Sequence, residues 1–301
     1  MTLLLRGGTV LFAGALAAGC VVSVDSQGQI VREEKKFNVE GSPELHLSTF
    51  DGAIEIQPWE RSEVLVEIEK RGPTREAVDS LKVETSQKAN RIELNVKSPR
   101  SETFSGFGFH ISSSARLIVS VPRRSDVVAR TGDGGIVIEG VNGRLELRTG
   151  DGAIKATDVS GQLVLNTGDG SITVDRGEGQ LTLETGDGGV TVGGRLTAVR
   201  MHTGDGSITY RAEAGTAMAE DWEISTGDGS VALYLPSSFG ATIDAHTGDG
   251  RIRNELEIAA SANVEADDEV RERRTLRGSI GDGGKRLRIR TGDGSITLRR
   301  R

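Results

Sequence analysis

Eight aspartates stand in identical surroundings: Asp133, Asp151, Asp169, Asp187, Asp205, Asp228, Asp249 and Asp293 each take the third place of Thr-Gly-Asp-Gly. Carboxylates recurring in this way are hard oxygen donors, and a column of them would suit Ca²⁺, which takes several oxygen ligands. The competing role is structural, with each Asp bonding the backbone of its own turn. Stacked at a strand spacing of about 4.8 Å, neighbouring carboxylates repel by roughly 0.9 kcal/mol in bulk water. Cations or backbone donors must therefore offset them. The structural role is the expectation, because alternate turns lack a matching Asp and the calcium-binding nonapeptide Gly-Gly-x-Gly-x-Asp is missing. Ca²⁺ is the one cofactor candidate.

Other reactive groups are sparse. His202 and His246 hold equivalent outward places before Thr203 and Thr247. Counted along the chain they are two repeats apart, about 9.6 Å, too far to share one zinc. His46 and His110 stand alone. There is no Gly-x-Ser-x-Gly elbow, and the recurrent Gly-Asp-Gly-Ser lacks the Lys of a phosphate-binding loop. A β-helical polysaccharide lyase or hydrolase would bring acids and aromatics to one groove. Here the acids repeat in every unit, and Trp and Tyr number two each. The expectation is no enzyme. A net charge of −7 argues against a general nucleic-acid binder.

Cys20 is the only cysteine, so no intrachain disulfide is available. It ends an uncharged, Leu-, Val-, Ala- and Gly-rich stretch, residues 7–22, behind a single positive charge at Arg6. That length falls short of the about 20 apolar residues of a membrane span and suits a signal peptide. Leu16-Ala17-Ala18-Gly19-Cys20 resembles the bacterial lipoprotein lipobox. The resemblance implies a signal peptide over residues 1–19 and a lipidated Cys20 at the mature N-terminus, a firm hold on a bilayer once multiply acylated. Val21, where an Asp would signal inner-membrane retention, favours the outer membrane or cell surface by the same resemblance.

Position is set by the repeat. Thr-Gly-Asp-Gly begins at Thr131, Thr149, Thr167, Thr185 and Thr203, 18 residues apart, and again at Thr226, Thr247 and Thr291 after gaps of 23, 21 and 44. Thr49-Phe50-Asp51-Gly52 is a degenerate copy. Within each 18, apolar residues recur every nine (Ile136, Leu145, Ile154, Leu163, Ile172, Leu181) with partners two places on, the mark of half-buried strands. The spacing predicts an all-β chain: one β-solenoid of 18-residue coils, each with two short strands. The turn glycines Gly132, Gly134, Gly150, Gly152, Gly168, Gly170, Gly186 and Gly188 are expected to supply positive φ. A linker over 20–36 and an irregular β cap over 37–126, with a short helix near 74–81, would precede the regular coils of 127–301. Every insertion, including the one at about 254–284, falls on the turn opposite Gly-Asp-Gly, which makes that edge the first choice for binding. The run Arg299-Arg300-Arg301 reads as an end cap, and Phe104, Phe107 and Phe109 as a small core under the N-terminal cap.

Leu-x-Leu-x-Thr-Gly-Asp-Gly-x-Ile-x-Val, preceded by Val119-Ser120-Val121-Pro122 and Ile56-Gln57-Pro58-Trp59-Glu60, resembles the bacterial candidate-adhesin family of β-solenoid domains of unknown function over about residues 37–301. The resemblance implies architecture and brings no catalytic residues. The leading expectation is a non-catalytic, envelope-anchored scaffold, tied to the membrane by lipid, that binds a protein or glycan. An envelope-stress or regulatory accessory lipoprotein and a carbohydrate-active enzyme are the alternatives.

Overall fold

The computed structural model describes residues 20–25, 28–99, 113–260 and 274–301. The chain is all-β and solenoid-like, with one short helix among the described residues, Arg75–Asp79, capped by the Thr74 hydroxyl accepting from the Ala77 N–H. Strands flanking successive Gly-Asp-Gly turns stack in parallel and in register. Leu145 lies opposite Leu163, which lies opposite Leu181, and Ile136 opposite Ile154, which lies opposite Ile172. Each step is 18 residues, so identical side chains meet and the inward row is buried throughout: Leu145, Leu147, Ile154 and Ala156 are at most 1% exposed. The strands before the turns form one ladder and those after it a second. We call one strand from each ladder, with their shared turn, a rung.

Three features differ from the expectation. First, Ile172–Thr185 and Val190–Thr203 are continuous 14-residue strands, each serving both ladders, where two short strands were expected. Arg176 carries the change of direction at φ 53° without leaving the strand. Second, the expected linker is structured. Cys20–Asp25 pairs with Gly28–Asn38, which runs antiparallel to Glu63–Gly72. Its charges had masked it, but they pair across strands, Lys70 with Glu33 at 2.6 Å and Arg32 with Glu69 at 2.8 Å, while Val31 and Phe37 are buried.

Third, rungs do not stack in chain order at either end. Trp222–Thr226 pairs with Arg286–Thr291, and Ala241–Thr247 lies on the far side of that strand. The second ladder agrees, with Ile296–Arg300 between Val231–Leu235 and Ile252–Asn254. The last rung of the chain is thus an inner one. Likewise Glu44–Thr49 lies between Arg91–Lys97 and Asp126–Arg130, so it joins the regular stack and is not part of a separate cap. Arg299 to Arg301 consequently cap nothing: Arg299 bonds Glu255 at 2.9 Å, and the Arg301 N–H donates to the Leu235 carbonyl. The described part of the 254–284 insertion includes Thr275–Ile280, antiparallel to Ala241–Thr247 and closing that ladder with Ala259–Ala260. The Phe104 to Phe109 cluster lies outside the described residues.

Candidate functional site

The Gly-Asp-Gly edge is held by threonine. Thr149, Thr167, Thr185, Thr203, Thr226, Thr247 and Thr291 are all buried. The Thr167 hydroxyl donates to the carbonyls of Gly150 and Gly152 in the preceding rung, at 3.1 and 2.9 Å, and the others repeat the pattern, except that Thr247 reaches the Gly294 carbonyl alone. The glycines serve close approach, which corrects the positive-φ expectation: none of the eight named turn glycines has positive φ. A Cβ at Gly152 would sit 2.1 Å from the Gly134 carbonyl oxygen, and one at Gly170 would sit 2.0 Å from that of Gly152. Positive φ belongs to the opposite turns, at Gly161 (113°) and Gly179 (106°).

The eight aspartates do form an exposed file along this edge. The order follows the rungs, so Asp293 stands between Asp228 and Asp249. Seven of the carboxylates accept no hydrogen bond among the described residues, and Asp249 pairs with Arg274 at 3.3 Å. The expected side-chain bond to the turn backbone is therefore absent, since the Thr hydroxyl already holds the turn. Among the described residues no three carboxylate, imidazole or thiol groups are arranged so as to hold a metal ion. His202 and His246 are three rungs apart, not two, and bond separately to Ser225 and Thr275. Cys20 opens the edge strand Cys20–Asp25, and residues 1–19 lie outside the described residues.

The opposite edge is where regularity breaks. Gly179 pairs with Leu196 and Gln180 with Ala198, leaving Thr197 as a bulge. Bulges re-aim neighbouring groups. Leu196 turns fully inward, and the Thr197 carbonyl accepts from the Ala219 N–H at 2.8 Å and from Trp222 Nε1 at 3.2 Å. The first bond ties the 213–221 insertion to the bulge, and the second ties the strand Trp222–Thr226 that follows it. Beneath the bulge lies a buried aromatic group: Tyr210 and Trp222 are 5.7 Å apart edge to face, and Trp222 and Phe239 are 5.4 Å apart. Burial raises the Tyr210 pKa well above the ordinary phenol value.

Over this bulge the insertion and the outer face of the first ladder border a half-open hollow of about 120 Å³, lined by Gln162, Gln180, Ala198, Arg200, Glu220 and Asp221. Gln162 and Gln180 are register neighbours. Asp221 accepts the Arg286 N–H at 2.9 Å, and Arg200 approaches Glu223 at 3.8 Å. A broader open depression of about 410 Å³ lies by Glu213, Ala214, Pro236 and Arg301. The edge was anticipated from the insertions, but these residues were not. Their signals are Leu196 and Val199, apolar but three apart in a sequence that alternates by two, and the small Ala198 among long outward side chains.

Comparison with known proteins places these observations. A search of curated proteins gives no match. Among solved structures, a candidate cell adhesion protein from Clostridium sporogenes aligns at 13% identity over 90% of this chain and 100% of its own, with a TM-score of 0.28. A candidate adhesin from Bacteroides fragilis aligns at 12% identity over 89% and 96%, TM-score 0.41. A candidate lipid-binding protein from Parabacteroides distasonis gives the same identity and coverage, TM-score 0.39. At these scores the likenesses carry no argument about function. The Toastrack DUF4097 family profile matches residues 43–299. The chain belongs to the Toastrack DUF4097 family.

Proposed function

We propose that the protein is a non-catalytic binding scaffold of the bacterial envelope: a β-solenoid of 18-residue coils, tethered by a lipid on Cys20, that engages a protein or glycan through its insertion-bearing edge. One observation carries the reading. The edge formed by Thr-Gly-Asp-Gly repeats the same bonds from rung to rung, whereas the irregular loops, the bulge and both depressions gather on the other side. Repeat proteins commonly bind through the face that carries their insertions. A rigid stack also presents such loops without an ordering cost at the moment of binding.

Two measurements test the two halves. Mass spectrometry of the protein purified from a bacterial host should find acylated Cys20 as its first residue, and Cys20→Ser should move the protein from the membrane to the soluble fraction. An unmodified, soluble wild type would sink the anchor. For binding, the full-length protein is incubated with arrayed envelope proteins and glycans. Glu213→Lys and Glu220→Lys should weaken whatever binds, while Asp151→Lys and Asp169→Lys should not. Binding that follows the aspartate file would reverse the assignment of the edges.

A further inference from the structure

We propose that the hollow over Ala198 is a saccharide subsite that takes one hydroxyl-rich ring, uncharged or amine-bearing, at the end or on a branch of a glycan. This rests on the adhesin-like reading above and narrows it to a place and a ligand class. Outward residues of the first ladder stand in columns, one per strand, and the column here runs Gln162, Gln180, Ala198. Asp221 follows in the next rung, immediately before Trp222–Thr226. Ala198 interrupts a row of long polar side chains, leaving Gln180 and Asp221 to face each other across two strand spacings, about 10 Å. Glu220 on the insertion also lines the gap. At about 120 Å³ it is far below the usual size of a drug-like pocket. A single ring is the scale that fits, and a continuous chain is not.

The lining matches hydroxyl groups, each of which both donates and accepts. The amides of Gln162 and Gln180 offer donors and acceptors, Arg200 donates only, and Glu220 and Asp221 accept only. Leu163, Leu181 and Val199, which also border the hollow, are turned into the core and at most 3% exposed, so recognition falls to the polar groups. Charge selects within the class. Two carboxylates face one guanidinium, which Glu223 already approaches at 3.8 Å, so an acidic sugar meets net repulsion and an amine-bearing one attraction. The walls are set in advance. The Thr197 carbonyl holds the insertion through Ala219 and the strand after it through Trp222, and the Arg286 N–H holds Asp221.

The test uses the full-length protein on an array of neutral, amino-sugar and uronic-acid oligosaccharides, with saturation-transfer NMR on any sugar retained. Ala198→Leu fills the hollow from a partly exposed outward position, and Glu220→Gln removes one charge without changing shape. Circular dichroism and Tm establish that both variants fold. Retention of neutral or amino-sugar glycans, lost at least tenfold in Ala198→Leu and weakened for amino sugars in Glu220→Gln, supports the subsite. Glycan binding that survives Ala198→Leu, or that prefers uronic acids, overturns it and leaves the adhesin-like reading standing with its site elsewhere. No glycan binding at all also overturns it. Failure of both glycans and arrayed envelope proteins to bind would remove the parent reading as well.

Discussion

The repeated tetrapeptide divides its labour in a way that residue types alone do not reveal. Aspartate invites attention as the reactive member, yet it is the exposed one, while the threonine hydroxyl is buried and donates to two carbonyls of the rung before it. Thr167→Val keeps the shape and deletes the donor: the Gly150 carbonyl keeps the Gly168 N–H but the Gly152 carbonyl loses the hydroxyl, a loss of about 1 kcal/mol. Asp169→Asn removes one charge from a like-charged file and should change stability by less than about 0.5 kcal/mol, as surface substitutions generally do. Denaturant unfolding of the two variants should therefore rank them in that order. The same pair reads the cation alternative. If millimolar Ca²⁺ raises the wild-type Tm over chelator and Asp169→Asn abolishes the rise, the file is a cation ladder and the structural view of it fails.

At the scale of elements, strand positions were legible and partners were not. A two-residue alternation fixes which residues face inward, so Leu145, Leu147 and Ile154 fell where expected. Rung order could not be read in the same way. Every repeat presents the same Thr-Gly-Asp-Gly edge and the same apolar rows, so any rung can dock on any other, and only connection length restricts the choice. The 44-residue gap before Thr291 was long enough to permit a return. Gly28–Asn38 was missed for a different reason: Arg32 to Lys36 are charged at both parities, which breaks the alternation, and their partners on Glu63–Gly72 lie far away in the sequence, Glu69 being 37 residues from Arg32. Those pairs have a pH signature. Burial disfavours the Glu69 charge, but hydrogen bonds from Arg71 and Arg32 outweigh it and hold the pKa below the ordinary value of 4.5. Asp244, bonded by Arg290 and facing Arg277 and Arg288, is likewise lowered against its burial. A depressed carboxylate contributes stability that is present above its unfolded pKa and lost as pH falls through the folded one. Tm should accordingly hold from neutral pH to about 5 and fall below it. Glu69→Gln should start lower at neutral pH and lose less on acidification. Parallel curves for the two proteins would mean that the Glu69 cluster contributes nothing to acid sensitivity.

For the molecule as a whole, the exchanged rungs change what an end is. A linear stack has roughly nearest-neighbour energetics, so removing a terminal rung ordinarily costs that rung and one interface. Here the C-terminal segment, Arg286–Thr291 and Ile296–Arg300, is flanked on both sides in both ladders. Ending the chain at residue 285 would part Trp222–Thr226 from Ala241–Thr247 by two strand spacings, about 10 Å. It would also leave two apolar rows, including Ile224 and Ile243, without the Leu287 and Ile289 that lie between them. The rung of Ala241–Thr247 and Ile252–Asn254 then has no partner in the stack beyond Thr275–Ile280. Hydrogen exchange on the truncated protein should show protection intact through about residue 212 and lost over 241–254, although those residues are still present. A synthetic peptide spanning residues 285–301 should restore protection to 241–254, because the slot it fills is defined by strands on both sides. Were the rungs stacked in chain order, the truncation would remove only the outermost rung. Residues 241–247 would stay protected and the peptide would add nothing. That pattern would overturn the exchanged order, whereas loss and rescue together identify the last residues of the chain as the piece that closes the stack from within.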